Sequence, residues 1–242
     1  MAGLATVYPM SEARIEANPD VGALYDINGL AKGAPNWLDR TVEFIGEYGI
    51  VLGFGILMLF AWWSVRKRED APAGVAALLW APLAAGIALL VNIPIRGFVK
   101  RPRPFLDHQG LDVLVKGKTD FSFVSDHATL TMAIAVALFL AHRRFGLIGI
   151  GLALLEGFSR VYLGVHYPTD VIGGLALGTA VALLLAPLAM MLLTPLAKAV
   201  AATRASWLVG ARRRVRPVVA AAGAGRDVTG QSRQHRNNDL AA

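Results

Sequence analysis

A chain of 242 residues that is 55% hydrophobic and 17% charged, with a formal net charge of +7 and no cysteine, is too apolar for an ordinary water-soluble domain. The lack of cysteine excludes structural disulfides and Cys-based zinc or iron–sulfur centres. The positive charge does not point to nucleic acid, because the basic residues stand in short groups beside apolar runs, where cations orient a membrane protein.

Residues 1–40 show no basic segment followed by an apolar core, so they do not read as a cleaved signal peptide. Val21, Leu24, Tyr25, Ile27, Leu30 and Ala31 recur at roughly helical spacing, with Trp37 and Leu38 after them, and predict an N-terminal interfacial helix. Residues 41–195 hold five apolar stretches long enough to cross a bilayer as helices. The first runs from about Tyr48 to Val65 and stops at Arg66-Lys67-Arg68; the second runs from about Ala73 to Ile95 and ends at Arg96. A polar stretch reaches to Val124. The third span, Ser125 to about Ala141, ends at His142-Arg143-Arg144, and the fourth, Phe145 to about Leu163, leads into His166. The fifth, Val171 to Leu193, carries Gly174-x3-Gly178, a small-residue spacing that allows close helix packing. Residues 196–242 form a basic cytoplasmic tail without periodicity from about Gly223, as expected of disorder. The fold class is therefore all-α, a polytopic membrane bundle of five to six transmembrane helices.

Arg66-Lys67-Arg68, Arg143-Arg144 and Arg212-Arg213-Arg214-Val215-Arg216 fall on one side if the spans alternate, and that side should be cytoplasmic. Three polar clusters then meet on the opposite, outer face: Arg96-x6-Arg103-Pro104, Val124-Ser125-Asp126-His127, and Ser159-Arg160-x5-His166-x3-Asp170. The loop cations Lys100, Arg101, Lys116 and Lys118 sit on this unfavoured side too, as they would if used in a site.

Arg96, Arg103 and Arg160 are permanently charged forks that match phosphate oxygens, and gathering them is costly unless an anion fills the gap. Each alone could equally snorkel to headgroups. Ser125 can cap the third span, leaving first-turn N–H groups and His127 facing an anion, although a cap with an incidental histidine has the same pattern. His166 and Asp170, four apart, can pair so that the carboxylate holds one ring nitrogen and the other is a directed lone pair. His127, His166 and Asp170 could instead ligate zinc, which three nearby guanidinium groups disfavour. Glu156, inside the fourth span, needs a partner, and Arg160 one turn on supplies it.

These clusters resemble the signature of the type 2 phosphatidic acid phosphatase superfamily of membrane lipid phosphatases, K-x6-R-P, P-S-G-H and S-R-x5-H-x3-D. The third motif matches fully as Ser159-Arg160-Val-Tyr-Leu-Gly-Val-His166-Tyr-Pro-Thr-Asp170. Arg96 stands where the first motif has lysine, with Lys100 close enough to share the role, and the second reads Val124-Ser125-Asp126-His127. Asp126 resembles the P-S-D-H form of bacterial undecaprenyl-pyrophosphate phosphatases. The resemblance implies a phosphatase on a polyprenyl diphosphate, with phosphatidic acid, phosphatidylglycerophosphate or a phosphorylated prenyl sugar as alternative substrates and a non-catalytic lipid carrier as the alternative of another class. It implies His166 as nucleophile, Asp170 as its orienting carboxylate, His127 as acid and base, and Arg96, Arg103, Ser125 and Arg160 as phosphate ligands. Neither metal nor cofactor is implied, and the partners are the lipid substrate and the bilayer. Asp126 is expected to order water or an arginine. The expected location is the plasma membrane, with the site facing the outside or periplasm.

Overall fold

A computed structural model describes residues 18–115 and 117–210, so the basic run Arg212–Arg216, the tail from Gly223 and Lys116 lie outside the described residues. Among the described residues all regular structure is helical, as the composition requires of a membrane bundle.

Helix α1 (Pro19–Lys32) starts because Asn18 caps it, its side chain accepting from the Asp20 N–H at 3.1 Å, while Pro19 opens the first turn. It forms as predicted, but its apolar face is turned to protein: Val21 and Leu24 pack with Val161, Tyr167, Val171 and Ala128. Asn28 is fully buried and donates to the carbonyls of Asp112 and Tyr162 at 2.9 and 2.8 Å. Truncating Leu24 should cost about 2–5 kcal/mol, the usual range for emptying a filled core position.

The first span begins earlier than its apolar run. Helix α2 (Asn36–Phe44) passes through a π-helical turn (Ile45–Gly49) into α3 (Ile50–Val65) without a break, giving 30 residues of continuous helix from Asn36. Helix α4 (Ala71–Val99) carries Pro82 and Pro94 internally and ends at Lys100, whose φ of 50° turns the chain away. A single-turn helix α5 (Pro104–Asp107) lies in the polar stretch.

Helix α6 (Asp126–Ala141) occupies the middle of the bundle, packed against α4, α7 (Arg143–Tyr162) and α8 (Pro168–Leu184). Alanines at 133, 135 and 137 are buried there. The predicted close approach is made by Gly174 and Gly178 of α8: a Cβ at Gly174 would meet the Ser125 carbonyl, and one at Gly178 the Thr129 carbonyl.

One expectation is corrected. The fifth stretch is not a single straight helix to Leu193; it breaks at Leu185, and α9 (Ala186–Ala201) leaves α8 at 52°. Pro187 explains the break, since it offers no N–H to Leu183 and its ring would strike that carbonyl. A short α10 (Ser206–Val209) follows, and Val209 packs on Val65 and Val75. By length and composition three helices can cross a bilayer, four if α8 and α9 count as one bent span, with α6 a shorter apolar helix of 16 residues.

Candidate active site

The C-terminal ends of α4 and α7 and the N-terminal ends of α6 and α8 lie at the same end of the bundle, linked there by α1 and the polar stretch 100–125. His166 is in the turn between α7 and α8 and is 4% exposed. Its Nε2 is 3.5 Å from Arg103 Nη1, and its Nδ1 is 3.7 Å from Asp170 Oδ2. The latter is ion-pair contact, too long for a hydrogen bond, and His166 Nδ1 has no hydrogen-bond partner among the described residues. Burial first, then the charge of Arg103, pushes the His166 imidazole below its ordinary value against the pull of Asp170, so the ring is neutral.

Asp170 occupies the third position of α8 and reaches back to the Tyr167 N–H at 2.9 Å, as an acidic residue in a helix's first turn does. Its Oδ2 also accepts from Ser122 Oγ, and its Oδ1 from Arg101 Nη1 at 2.8 Å. Its oxygens are thereby committed to donors, which counts against His127, His166 and Asp170 as a metal-ligand trio; no such cluster occurs among the described residues.

Arg101, one of the loop cations expected to serve a site but matched to no motif position, anchors this side. Its guanidinium lies 3.6 Å from the Tyr167 ring centroid, and it donates to Thr169 Oγ1 at 2.7 Å and to Asp20 Oδ2 of α1 at 2.6 Å.

Arg103, 4% exposed, donates from Nη1 to the Val165 carbonyl at 3.0 Å and from Nη2 to Asp120 Oδ1 at 2.7 Å. Asp120 Oδ2 accepts from Arg96 Nη1 at 2.8 Å. Burial alone would raise the Asp120 carboxyl, but hydrogen bonding to Arg103 and the charges of Arg103 and Arg96 outweigh it and hold the group below the usual carboxylate range. Arg96 is also paired with Asp126, whose Oδ1 further accepts from Asn92 Nδ2 at 2.7 Å. Asp126 thus orders an arginine, as expected, and Arg96 is held between two carboxylates. Lys100 is exposed and makes no ion pair among the described residues.

On the far side, Arg160 is 1% exposed. Its Nη1 donates to Glu47 Oε1 at 2.6 Å, its Nε lies 3.0 Å from Glu156 Oε1, and its buried Nη2 has no partner among the described residues. Glu47 sits on the π-helical turn, a feature that often marks functional positions. Its Oε2 is 3.7 Å from Lys118 Nζ. Gly46 on the same turn faces the Arg160 guanidinium so closely that a Cβ there would collide with Nη2. His127 is half-buried within electrostatic reach of Arg160, Glu47, Lys118 and His166. Ser125 caps α6, accepting from the Ala128 N–H at 3.5 Å, and its own N–H donates to the Asp170 carbonyl at 3.1 Å. The N–H groups of Asp126 and His127 are first-turn donors with no helical acceptor.

The sequence-predicted residues thus converge at one end, with two differences. The arginines do not await an outside anion; each already has carboxylate partners. Those partners, Asp20, Asp120 and Glu47, together with Ser122, carry no sequence signal beyond being polar near an apolar run, since their partners are distant in the chain; Arg101 shows only as a cation on the unfavoured side. Chemically, a buried imidazole beside a guanidinium, an unpartnered guanidinium nitrogen and a capped helix start are groups suited to a tetrahedral anion.

Known proteins share this arrangement of sequence. A profile described as the PAP2 superfamily matches residues 77–194. Undecaprenyl-diphosphatase BcrC of Bacillus subtilis is 33% identical over 149 residues, 61% of this chain and 72% of that protein. Decaprenylphosphoryl-5-phosphoribose phosphatase of Mycobacterium tuberculosis is 39% identical over 145 residues, 59% of this chain and 73% of that protein. The crystal structure of a transmembrane PAP2-type phosphatidylglycerolphosphate phosphatase from Bacillus subtilis superposes with a TM-score of 0.51 at 26% identity, covering 74% of this chain and 90% of that one.

Proposed function

The chain belongs to the PAP2 superfamily and is a membrane lipid phosphatase, and from that premise we propose that it hydrolyses undecaprenyl diphosphate, or a similar polyprenyl diphosphate, to the monophosphate on the outer face of the plasma membrane. What carries the reading is the buried His166 beside Arg103, in a chain whose relatives include proteins named for undecaprenyl-diphosphatase activity.

In the proposed reaction His166 Nε2 attacks the terminal phosphorus. An N–P bond forms as the anhydride P–O bond breaks, and His127 gives its proton to the departing lipid monophosphate. Water then attacks the phosphohistidine, His127 takes the proton, and inorganic phosphate leaves. Arg103 and Arg160 stabilise the equatorial oxygens, with the α6 N-terminus behind Ser125 as a further donor set. Asp170, pinned by Arg101, Ser122 and the Tyr167 N–H, keeps negative charge beside the ring as it becomes cationic. Arg96 acts indirectly, by holding Asp120, which in turn holds Arg103. The reaction as written uses neither metal nor cofactor, so activity should survive exhaustive chelation by EDTA; loss restored by zinc or magnesium would overturn it.

A second reading, a phosphorylated prenyl sugar as substrate, is favoured by the 39% identity to the phosphoribose-lipid phosphatase. Phosphate release by the purified protein, offered undecaprenyl diphosphate, a decaprenylphosphoryl phosphosugar, diacylglycerol diphosphate and phosphatidic acid side by side, tests both. The proposal expects the prenyl diphosphate to be turned over fastest. Faster turnover of the phosphosugar would favour the second reading, and comparable rates on all four would refute selectivity.

A further inference from the structure

The opposite end of the bundle holds a second group of cations in a setting of its own. The turn from α3 to α4, the C-terminus of α6 and the N-terminus of α7 border an open cavity of about 520 Å³ lined by Arg68, His142 and the exposed Arg143 and Arg144 over Phe139 and Leu140. Arg68 donates one N–H to the Ala141 carbonyl at 3.2 Å. Among the described residues, none of its three arginines is within salt-bridge distance of a carboxylate, although Glu69 and Asp70 are in the same turn. Helix α7 starts here without a side-chain cap, so its first N–H groups have no side-chain acceptor. The buried Nδ1 of His142 has no partner among the described residues. Burial first, then the charges of Arg68 and Arg144, pushes that imidazole below its ordinary value, so ring and guanidinium groups crowd one space.

We propose that this cavity binds the phosphate of an anionic phospholipid headgroup. Clustered guanidinium groups with no counter-charge, at an uncapped helix start, fit a phosphodiester. The surroundings specify a lipid over a soluble phosphate. Leu140, Leu147 and Ile148, on the same ends of α6 and α7, are 46%, 61% and 53% exposed and offer apolar surface to acyl chains. Trp62 and Trp63, overlaid by Arg66 and Lys67 at 4.6–5.3 Å, set the depth of a membrane–water boundary at this end. Basic pockets between membrane helices on the cytoplasmic side take such headgroups.

The test is native mass spectrometry of the full-length protein from detergent, supplied with equal phosphatidylglycerol and phosphatidylcholine. Wild type should retain phosphatidylglycerol preferentially. R143Q/R144Q should bind it roughly thirty-fold more weakly, which is about 1 kcal/mol for each of the two surface cations, with turnover in detergent unchanged. R66Q/K67Q removes equal charge from the same end outside the cavity and should retain the lipid. Equal loss in both variants, no headgroup preference in wild type, or displacement of the lipid by millimolar inorganic phosphate would each overturn the proposal.

Discussion

Where α4, α6, α7 and α8 bring their site-bearing ends together, Arg96, Arg101, Arg103 and Arg160 each touch at least one carboxylate. At the other end Arg66, Arg68, Arg143 and Arg144 touch none among the described residues, and Arg66, with Lys67 beside it, lies over tryptophan rings instead. The difference lies in what each arginine is fixed against. A guanidinium pinned by carboxylates presents its remaining N–H groups in one direction, which selects a ligand of one geometry. An unpinned one is a mobile counter-charge that follows whatever anion is near. Positive charge alone therefore does not locate a reaction centre in such a protein; the matching carboxylates do.

Four changes test that contrast. His166→Ala should abolish phosphate release, by roughly four orders of magnitude or more, with the protein still eluting as a folded species. Turnover close to wild type would sink the nucleophile assignment, and no single change at the other end should approach this effect. Glu47→Gln keeps the shape but removes the charge that pins Arg160, and kcat/KM should fall about ten- to hundred-fold, mostly through kcat. A rise in KM alone would mean that Glu47 merely shapes entry to the site.

Acidity should separate the ends more gently. The folded His166 imidazole titrates below 6.5, its ordinary value. It therefore stays neutral as pH falls to that point, and the acid limb of kcat/KM lies below it. The unfolded chain binds this proton first, so the His166 contribution to stability is intact above 6.5 and lost as pH falls below it. Asp120 acts in the same direction lower down: its stabilisation is present above the ordinary carboxylate value and disappears as pH drops through its depressed folded value. Thermal unfolding across this range reads both. Arg96→Lys, which restores the residue of the family motif, should have the smallest effect, a few-fold drop in kcat/KM, because an ammonium cannot bridge Asp120 and Asp126 as a planar fork does. A larger loss would place Arg96 in direct contact with substrate.

Much of this was legible in one dimension. Apolar runs mark helix interiors, and Ser125, Pro168 and Asp170 mark helix starts by their own chemistry, so three clusters could be assigned to one end before any contact was known. Helix α2 does not show as part of the first span because its sequence, Asn36 to Phe44, is largely polar, and Trp37 and Leu38 read instead with the interfacial segment; it is helical because it continues a span. The break before Pro187 had a visible signal that an unbroken run of leucines and alanines masked. Asp20, Asp120, Ser122 and Glu47, and the partners of Arg101, were unreadable for a different reason. An ion pair is a property of two positions, and these pairs join residues up to 113 apart along the chain for Glu47 and Arg160, and 81 for Asp20 and Arg101.

Helix α1 has a consequence for synthesis. Asp20 binds Arg101 and both the N–H and hydroxyl of Thr169, and Asn28 binds the Tyr162 carbonyl, across separations of 81, 149 and 134 residues. The first described helix therefore lacks most of its docking partners until the translated chain has passed Thr169. The reaction centre closes only after α8 has begun to emerge, so an interrupted chain cannot carry a finished, active pocket into the membrane.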